Sequence, residues 1–389
     1  MSDFQTIDDF LGRCLRALRD KGEAQWELGK TIEPREVWTR IEFHGLPMLL
    51  HQHADCLPDW PSGLLERIAE EARLLALWEA THRKCVGALV EALSAAGIES
   101  VFMKGTALAY ALHEEPAVRR RGDSDLLIRP GREQAAREVF ENAGWYRKND
   151  AHGLYFQEGW LFRSAGIFEH AIDLHWQPTD SPLLHPVLPL ETFFLNKEPL
   201  ERLSPNSHRP DWATLVLHGA INQKWHAVNG YDAEYEKLAS PRRHIWSVDF
   251  DLLARAMSQR DWERLLEISS VGGVAPLVAD ALRGAQQQFD TPLDEQSMHM
   301  LEQAVTDAGV RAYFSSSDTL SKFWLDLRNA RGLDGKARMI FMRAFPPRKH
   351  LLKKYPDASA WPTLALQLRM MGGTLVRLAG RSLSRGKAR

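Results

Sequence analysis

The chain has 389 residues, 44% of them apolar and 26% charged, with a formal net charge of −2. This is the profile of a globular protein with room for two or three packed units. No run approaches the roughly 18 apolar residues of a membrane helix, the N-terminus MSDFQTIDDFLGRC lacks a signal-peptide core, and Cys14, Cys56 and Cys85 are too scattered for a disulfide framework or a cysteine zinc site, so a cytoplasmic protein is expected.

Residues 1–94 read as a helical region. Within it, SGLLERIAEEARLLALWEATHRKCVGALVEALSAAG (62–97) repeats Leu64, Ile68, Ala72, Leu75 and Trp78 at helical spacing and stops at Gly97. His51, His53, Asp55 and Cys56 have metal-ligand chemistry but no partner cluster at a known spacing. An α/β unit is expected over 95–200. Its strands are Glu99–Met103, Ser124–Arg129, Leu154-Tyr155-Phe156 and Phe168–Trp176, with helices from Ala107 and over Arg132–Asn142.

From Trp212 the pattern turns helical again through WATLVLHGAINQ, HIWSVDFDLLARAMS and DWERLLEISS, which makes 201–335 a helical domain. Residues 336–389 form a basic tail with thirteen Lys/Arg against one acid, Asp357. Such a tail suits an anionic surface, or folds onto an acidic body. The terminal LALQLRMMGGTLVRLAGRSL is amphipathic, and Gly372-Gly373 interrupts it, which favours packing on the body over a membrane surface. The fold class expected is α+β: a small mixed-sheet core flanked by N-terminal and C-terminal helical regions.

The chemistry concentrates in VFMKGTALAYALHEEPAVRRRGDSDLLIR (101–129). Side chains alternate along a strand, so Asp123 and Asp125 share a face. Two adjacent carboxylates repel, and a divalent cation removes that cost while gaining hard oxygen ligands. Asp173 in IDLHW supplies a third acid. Three acids suit two metal ions about 3.5–4 Å apart, the arrangement that serves in-line phosphoryl transfer. Mg²⁺ is the expected ion, with Mn²⁺ as the alternative. Asp123, Asp125 and Asp173 are therefore the catalytic and metal-binding candidates.

The turn Lys104-Gly105-Thr106 is the phosphate-binding candidate. Glycine admits phosphate close to the backbone, a helix N-terminus follows, Thr106 offers a hydroxyl and Lys104 a charge. Arg119 joins them as a fork matched to phosphate, with Arg120 and Arg121 as weaker candidates and a solvated or salt-bridging run as the other reading. His175 shares a face with Asp173, and is read either as orienting the acceptor or supporting a ligand, or as a packed histidine. His218 and Asp249 lie on helices that reach toward the same place, and structural roles are the stronger reading for both. Trp145, Trp225 and Trp246 fall in apolar patterns that suit core or cleft-wall packing.

The whole pattern resembles the nucleotidyltransferase superfamily, with its polymerase-beta-like core. More closely, it is similar to a bacterial family of uncharacterised nucleotidyltransferases. The likeness rests on Lys104-Gly105, on Arg119 four residues before Asp123-Ser124-Asp125, and on Ile172-Asp173-Leu174-His175-Trp176. It continues through His218, Trp246, Asp249, Phe345-Pro346 and Tyr355-Pro356. The resemblance implies Mg²⁺-dependent transfer of a nucleoside monophosphate from an NTP such as ATP to a hydroxyl acceptor, with release of pyrophosphate. The acceptor could be a sugar, a small molecule, a protein or an RNA end. The rival readings are a kinase-like phosphotransferase acting on a small molecule or peptide, and a non-catalytic nucleotide-binding scaffold in a biosynthetic cluster.

Overall fold

The computed structural model describes residues 3–29, 32–148, 155–164, 168–229, 231–232, 237–238, 243–316, 318–346, 348–358 and 360–370. The fold is α+β. Helices α1 (Asp3–Arg19), α2 (Pro34–His44) and α3 (Pro47–Gln52) lead into α4 (Ser62–Ala95). Strand β1 (Ser100–Met103) runs into α5 (Lys104–Leu112), and β2 (Asp123–Ile128) follows. Then come α6 (Glu133–Asn142), β3 (Tyr146–Arg147), β4 (Gln157–Ser164) and β5 (Phe168–His175). After α7 (Leu190–Leu195), the chain is largely helical: α8 (Trp212–Asn229), α9 (His244–Ala256), α10 (Gln259–Val271), α11 (Ala275–Phe289), α12 (Glu295–Gln303), α13 (Ala308–Ser315), α14 (Thr319–Asn329), α15 (Gly332–Ala344) and α16 (Arg348–Lys354). Among the described residues, no helix is long and apolar enough to cross a membrane.

Helix α4 explains how the N-terminal helices meet the sheet. Its first turns bury Leu64 and Ile68 in a cluster with Phe10, Ile41 and Trp60. Its last turns bury Val86, Leu89, Val90 and Leu93 in a second, larger cluster built on the sheet. Between these apolar stretches, the same helix buries two polar groups, Glu79 and His82. The chain then reverses at Gly97, whose φ of +67° is open to glycine without steric cost.

The five-stranded sheet has the order β1-β2-β5-β4-β3. Strands β2 and β5 are parallel, and the other neighbours are antiparallel. Ser124, Leu126, Ile172 and Leu174 are fully buried on one face. Alternation therefore turns Asp123, Asp125 and Asp173 to the other. The parallel register sets Asp125 opposite Asp173. Helix α8 covers part of that second face and leaves a cleft.

Three local expectations differ from the structure. Strand β2 opens at Asp123, one residue earlier than its hydrophobic run suggests. Tyr155 and Phe156 form a bend before β4, because Asp180 Oδ1 accepts both backbone N–H groups, at 2.6 and 2.8 Å; Leu154 lies outside the described residues. Helix α5 opens at Lys104 itself, at a φ of +50°. Of the basic tail, residues 371–389, with Gly372-Gly373, lie outside the described residues.

Candidate active site

The site is built where β1 turns into α5 and where β2 and β5 run side by side. Among the described residues, one group of metal-type donors comes together: Asp125, Asp173 and His175, whose ligand atoms all lie within 4.8 Å of one another. His175 Nε2 is 3.1 Å from Asp125 Oδ1, and Lys104 Nζ donates to the same oxygen at 2.6 Å. His175 thus stands closer to the carboxylates than its sequence reading requires. Asp123, one pleat away on β2, opens on the same cleft.

Electrostatics separate the three acids. Burial disfavours charge on Asp125, but Lys104 and His175 prevail and hold its carboxyl well below the usual range. Asp123 keeps solvent contact in the cleft, yet desolvation and the charges of Asp125 and Asp173 push it up to about 7. Asp173 is raised as well, by burial and by Asp125. Burial works against the Lys104 ammonium, and the facing carboxylates still raise its pKa. The cluster is short of positive charge, which is the condition that a divalent cation relieves.

Behind the carboxylates lies a buried polar network. The hydroxyl of Ser124, between the two acids of β2, accepts from Thr106 Oγ1 at 2.8 Å and lies 2.7 Å from His82 Nε2. Arg121 Nε donates to Thr106 Oγ1 at 3.1 Å. The two terminal nitrogens of Arg121 each lie 2.8 Å from a Glu79 oxygen. Tyr110 completes the set by donating to Glu79 at 2.6 Å. Burial opposes the charge of Glu79, and His82 and Arg121 hold it ionised, well below the usual range.

The cleft has a volume of about 540 Å³. Of the ten leading site candidates from sequence, Lys104, Gly105, Arg119, Asp123, Asp125, Asp173, His175 and His218 line it. Thr106 and Asp249 do not. Thr106 is 1% exposed and its hydroxyl points inward to Ser124, so it is engaged away from any phosphate in the cleft. Asp249, on α9, grips Arg119 Nε at 2.7 and 3.0 Å and ties the loop before β2 to the C-terminal helices. Gly105 stays out of the left-handed region, which falls on Lys104 instead. A Cβ at Gly105 would sit 3.4 Å from Arg121 Cβ, an ordinary contact, so the fold itself tolerates a side chain there. His218 is buried, which drives its imidazole down to about 3 and keeps it neutral.

Arg120 and Arg121, weaker phosphate candidates from sequence, line the cleft alongside Arg119, and Arg243 lines it too. Sequence reading missed another part of the cleft. Asp180, Ser181, Tyr155, Tyr313 and Asp326 form a further wall. Asp180 follows the IDLHW motif in a Gln-Pro-Thr-Asp turn that could have signalled it. Asp326 comes from α14, far along the chain, with no local pattern to mark it. Trp225 and Trp246 are cleft-wall residues, whereas Trp145 is core.

No curated protein matches the chain. The model of a family described as uncharacterised nucleotidyltransferase matches residues 30–290, well over half of its length. That span holds the Lys104 turn, the β2 and β5 acids, and the Arg119–Asp249 pair. The chain belongs to the uncharacterised nucleotidyltransferase family.

Proposed function

We propose that the protein transfers a nucleoside monophosphate from an NTP to a hydroxyl acceptor and releases pyrophosphate. One observation carries this reading: Asp125 and Asp173 stand in register on parallel strands, with His175 beside them, on a cleft lined by Lys104 and four arginines. The donor set fits a hard divalent cation, because it is rich in carboxylate oxygen and lacks compensating charge. Asp125 and Asp173 would hold Mg²⁺ or Mn²⁺, with Asp123 available to a second ion and His175 to the first. When bound, such an ion neutralises triphosphate charge and polarises the α-phosphate.

The chain's own residues do the rest. Lys104 and Arg119 bind the β- and γ-phosphates, and Asp249 holds the Arg119 fork in place. Ser124 anchors the midpoint of the two acids from behind, which keeps both carboxylates aimed at the cleft. Asp173, raised by burial, takes the acceptor hydroxyl proton. In the reaction the acceptor oxygen forms a bond to the α-phosphorus, the α–β phosphoanhydride breaks, and its electron pair leaves on pyrophosphate.

Product mass tests this directly. The full chain is incubated with each labelled NTP, a small-molecule extract and Mg²⁺, then again with chelator. The expected product is an adduct one nucleoside monophosphate heavier, formed with pyrophosphate and lost on chelation. A bare phosphate adduct would establish a phosphotransferase instead, and nucleotide binding without any product would establish a scaffold.

A further inference from the structure

A second wall of the cleft is assigned no role by the transfer chemistry. Asp180 and Asp326 both line it. Asp180 presents Oδ1 to the backbone N–H groups of Tyr155 and Phe156. Asp326 Oδ1 accepts from Ser181 Oγ and, at 3.4 Å, from the Leu183 N–H. The Ser181–Asp326 bond ties the turn after β5 to α14, so the two carboxylates are held in place. In both carboxylates, Oδ2 has no such partner among the described residues.

The charges here do not balance. Arg338 acts on Asp180 together with His175, Lys322 acts on Asp326, and Arg343 acts on the neighbouring Tyr155; Arg243 lines the same cleft. Neither Arg338 nor Lys322 lines the cleft, and Lys322 is 6% exposed, with its ammonium 2.6 Å from Asn229 Oδ1 and over the Tyr313 ring at 5.5 Å from its centroid. Burial accordingly pushes both carboxyls up to about 6. A second feature lies beside the two carboxylates: the aromatic side chains of Tyr155 and Trp225 line the same cleft.

We propose that this wall is the acceptor subsite, and that it takes an ammonium-bearing alcohol, with the cation against Asp180 and Asp326 beside the rings of Tyr155 and Trp225. The assignment rests on the nucleotidyl-transfer reading for the word acceptor. Two under-compensated carboxylates gain most from an opposite charge, and aromatic faces add to that attraction. A phosphate-bearing acceptor, such as an RNA end, would set like charges against the same pair. Arg119, Arg120 and Lys104, on the loop before β2 and the start of α5, are left to the triphosphate.

Matched probes that differ only in charge test the idea. Choline is compared with 3,3-dimethylbutan-1-ol, and glucosamine with N-acetylglucosamine. Each is titrated calorimetrically, and by ligand-observed NMR, into the full chain with and without Mg²⁺ and a non-hydrolysable ATP analogue. At least one cationic member is expected to bind about tenfold tighter than its neutral partner. In Asp180→Asn/Asp326→Asn, which keeps both Oδ1 acceptors, the preference should shrink to about twofold or less, with affinity for the ATP analogue unchanged. Equal binding of the neutral partners, no binding of any probe, tighter binding of phosphoethanolamine than of ethanolamine, or a preference that survives in the double variant would each overturn it. If the double variant loses analogue binding through misfolding, Asp326→Asn alone is read against the same criteria. Failure of the wild type to bind Mg²⁺-nucleotide, with the ammonium preference intact, would sink the transfer reading and leave this subsite standing.

Discussion

Asp125→Asn is expected to lower nucleotidyl transfer by about 10³-fold or more, the scale seen when a group acting on the transferring centre is lost. The substitution removes the carboxylate that Lys104 and His175 both face, so it also leaves the Lys104 ammonium without its partner and lowers stability. Asp123→Asn should act in the opposite direction on stability while still weakening Mg²⁺-NTP binding. The Asp123 carboxyl sits near 7 because burial and two like charges penalise its ionised form. A carboxyl raised in the fold binds its proton longer there than in the unfolded chain, whose value is about 3.9. Stability therefore falls through this group as pH rises from about 4 to about 7, and the penalty is constant above that. Asparagine escapes it. After discounting for the solvent contact of Asp123, the gain at pH 8 is about 1 kcal/mol, or roughly 1 °C in Tm for a chain of this size, and it vanishes near pH 4. Thermal melts at pH 4, 6 and 8, beside Mg²⁺-ATP calorimetry, read both effects. Undiminished Mg²⁺-ATP affinity in Asp123→Ala/Asp125→Ala would show that the site has been misassigned.

Arg121→Met should be the more damaging change to the fold. The guanidinium is 3% exposed and faces Glu79, which lies in the middle of α4 between two apolar stretches. Removing one partner of such a pair leaves an uncompensated buried charge and costs about 3–5 kcal/mol. At this chain length that is a fall of roughly 4–6 °C in Tm. Adding Glu79→Gln should recover much of the loss, since glutamine still accepts from Tyr110 and the stranded charge is gone. The same network reaches Ser124 through Thr106, so Arg121→Met should also loosen the Asp123–Asp125 segment and raise the apparent Kd for Mg²⁺-ATP. Denaturant unfolding of the single and double variants gives the coupling energy. A cost below about 1 kcal/mol for Arg121→Met would mean that water reaches the pair, and the network would carry no positioning role.

How far the site could be read in advance differs from residue to residue. Asp123 and Asp125 were legible because alternation in a strand is a property of neighbours two positions apart. Thr106 was misread in its direction: a hydroxyl on a strand-to-helix turn looks available to phosphate, and here it is turned inward by Ser124 and Arg121, which arrive from outside its own segment. Lys104 was seen as a charge, but its left-handed backbone was not, since only glycine advertises that conformation in a sequence. Asp249 was noticed through its helix, and its partner Arg119 could be identified only in the fold.

By itself, then, the sequence determined that this protein has a mixed α/β segment bearing an Asp-x-Asp pair, a Lys-Gly turn and a later strand acid, in an order that belongs to nucleotidyltransferases. Local periodicity and residue chemistry are enough for that, because each lies within a few consecutive residues. Only the tertiary structure decided that Asp173 stands opposite Asp125, that His175 joins them, and that Asp180 and Asp326 share one wall of the cleft. Those neighbours are set by strand register and by helices packed from distant parts of the chain. Such contacts follow from burying the whole core at once, and no window of sequence contains them.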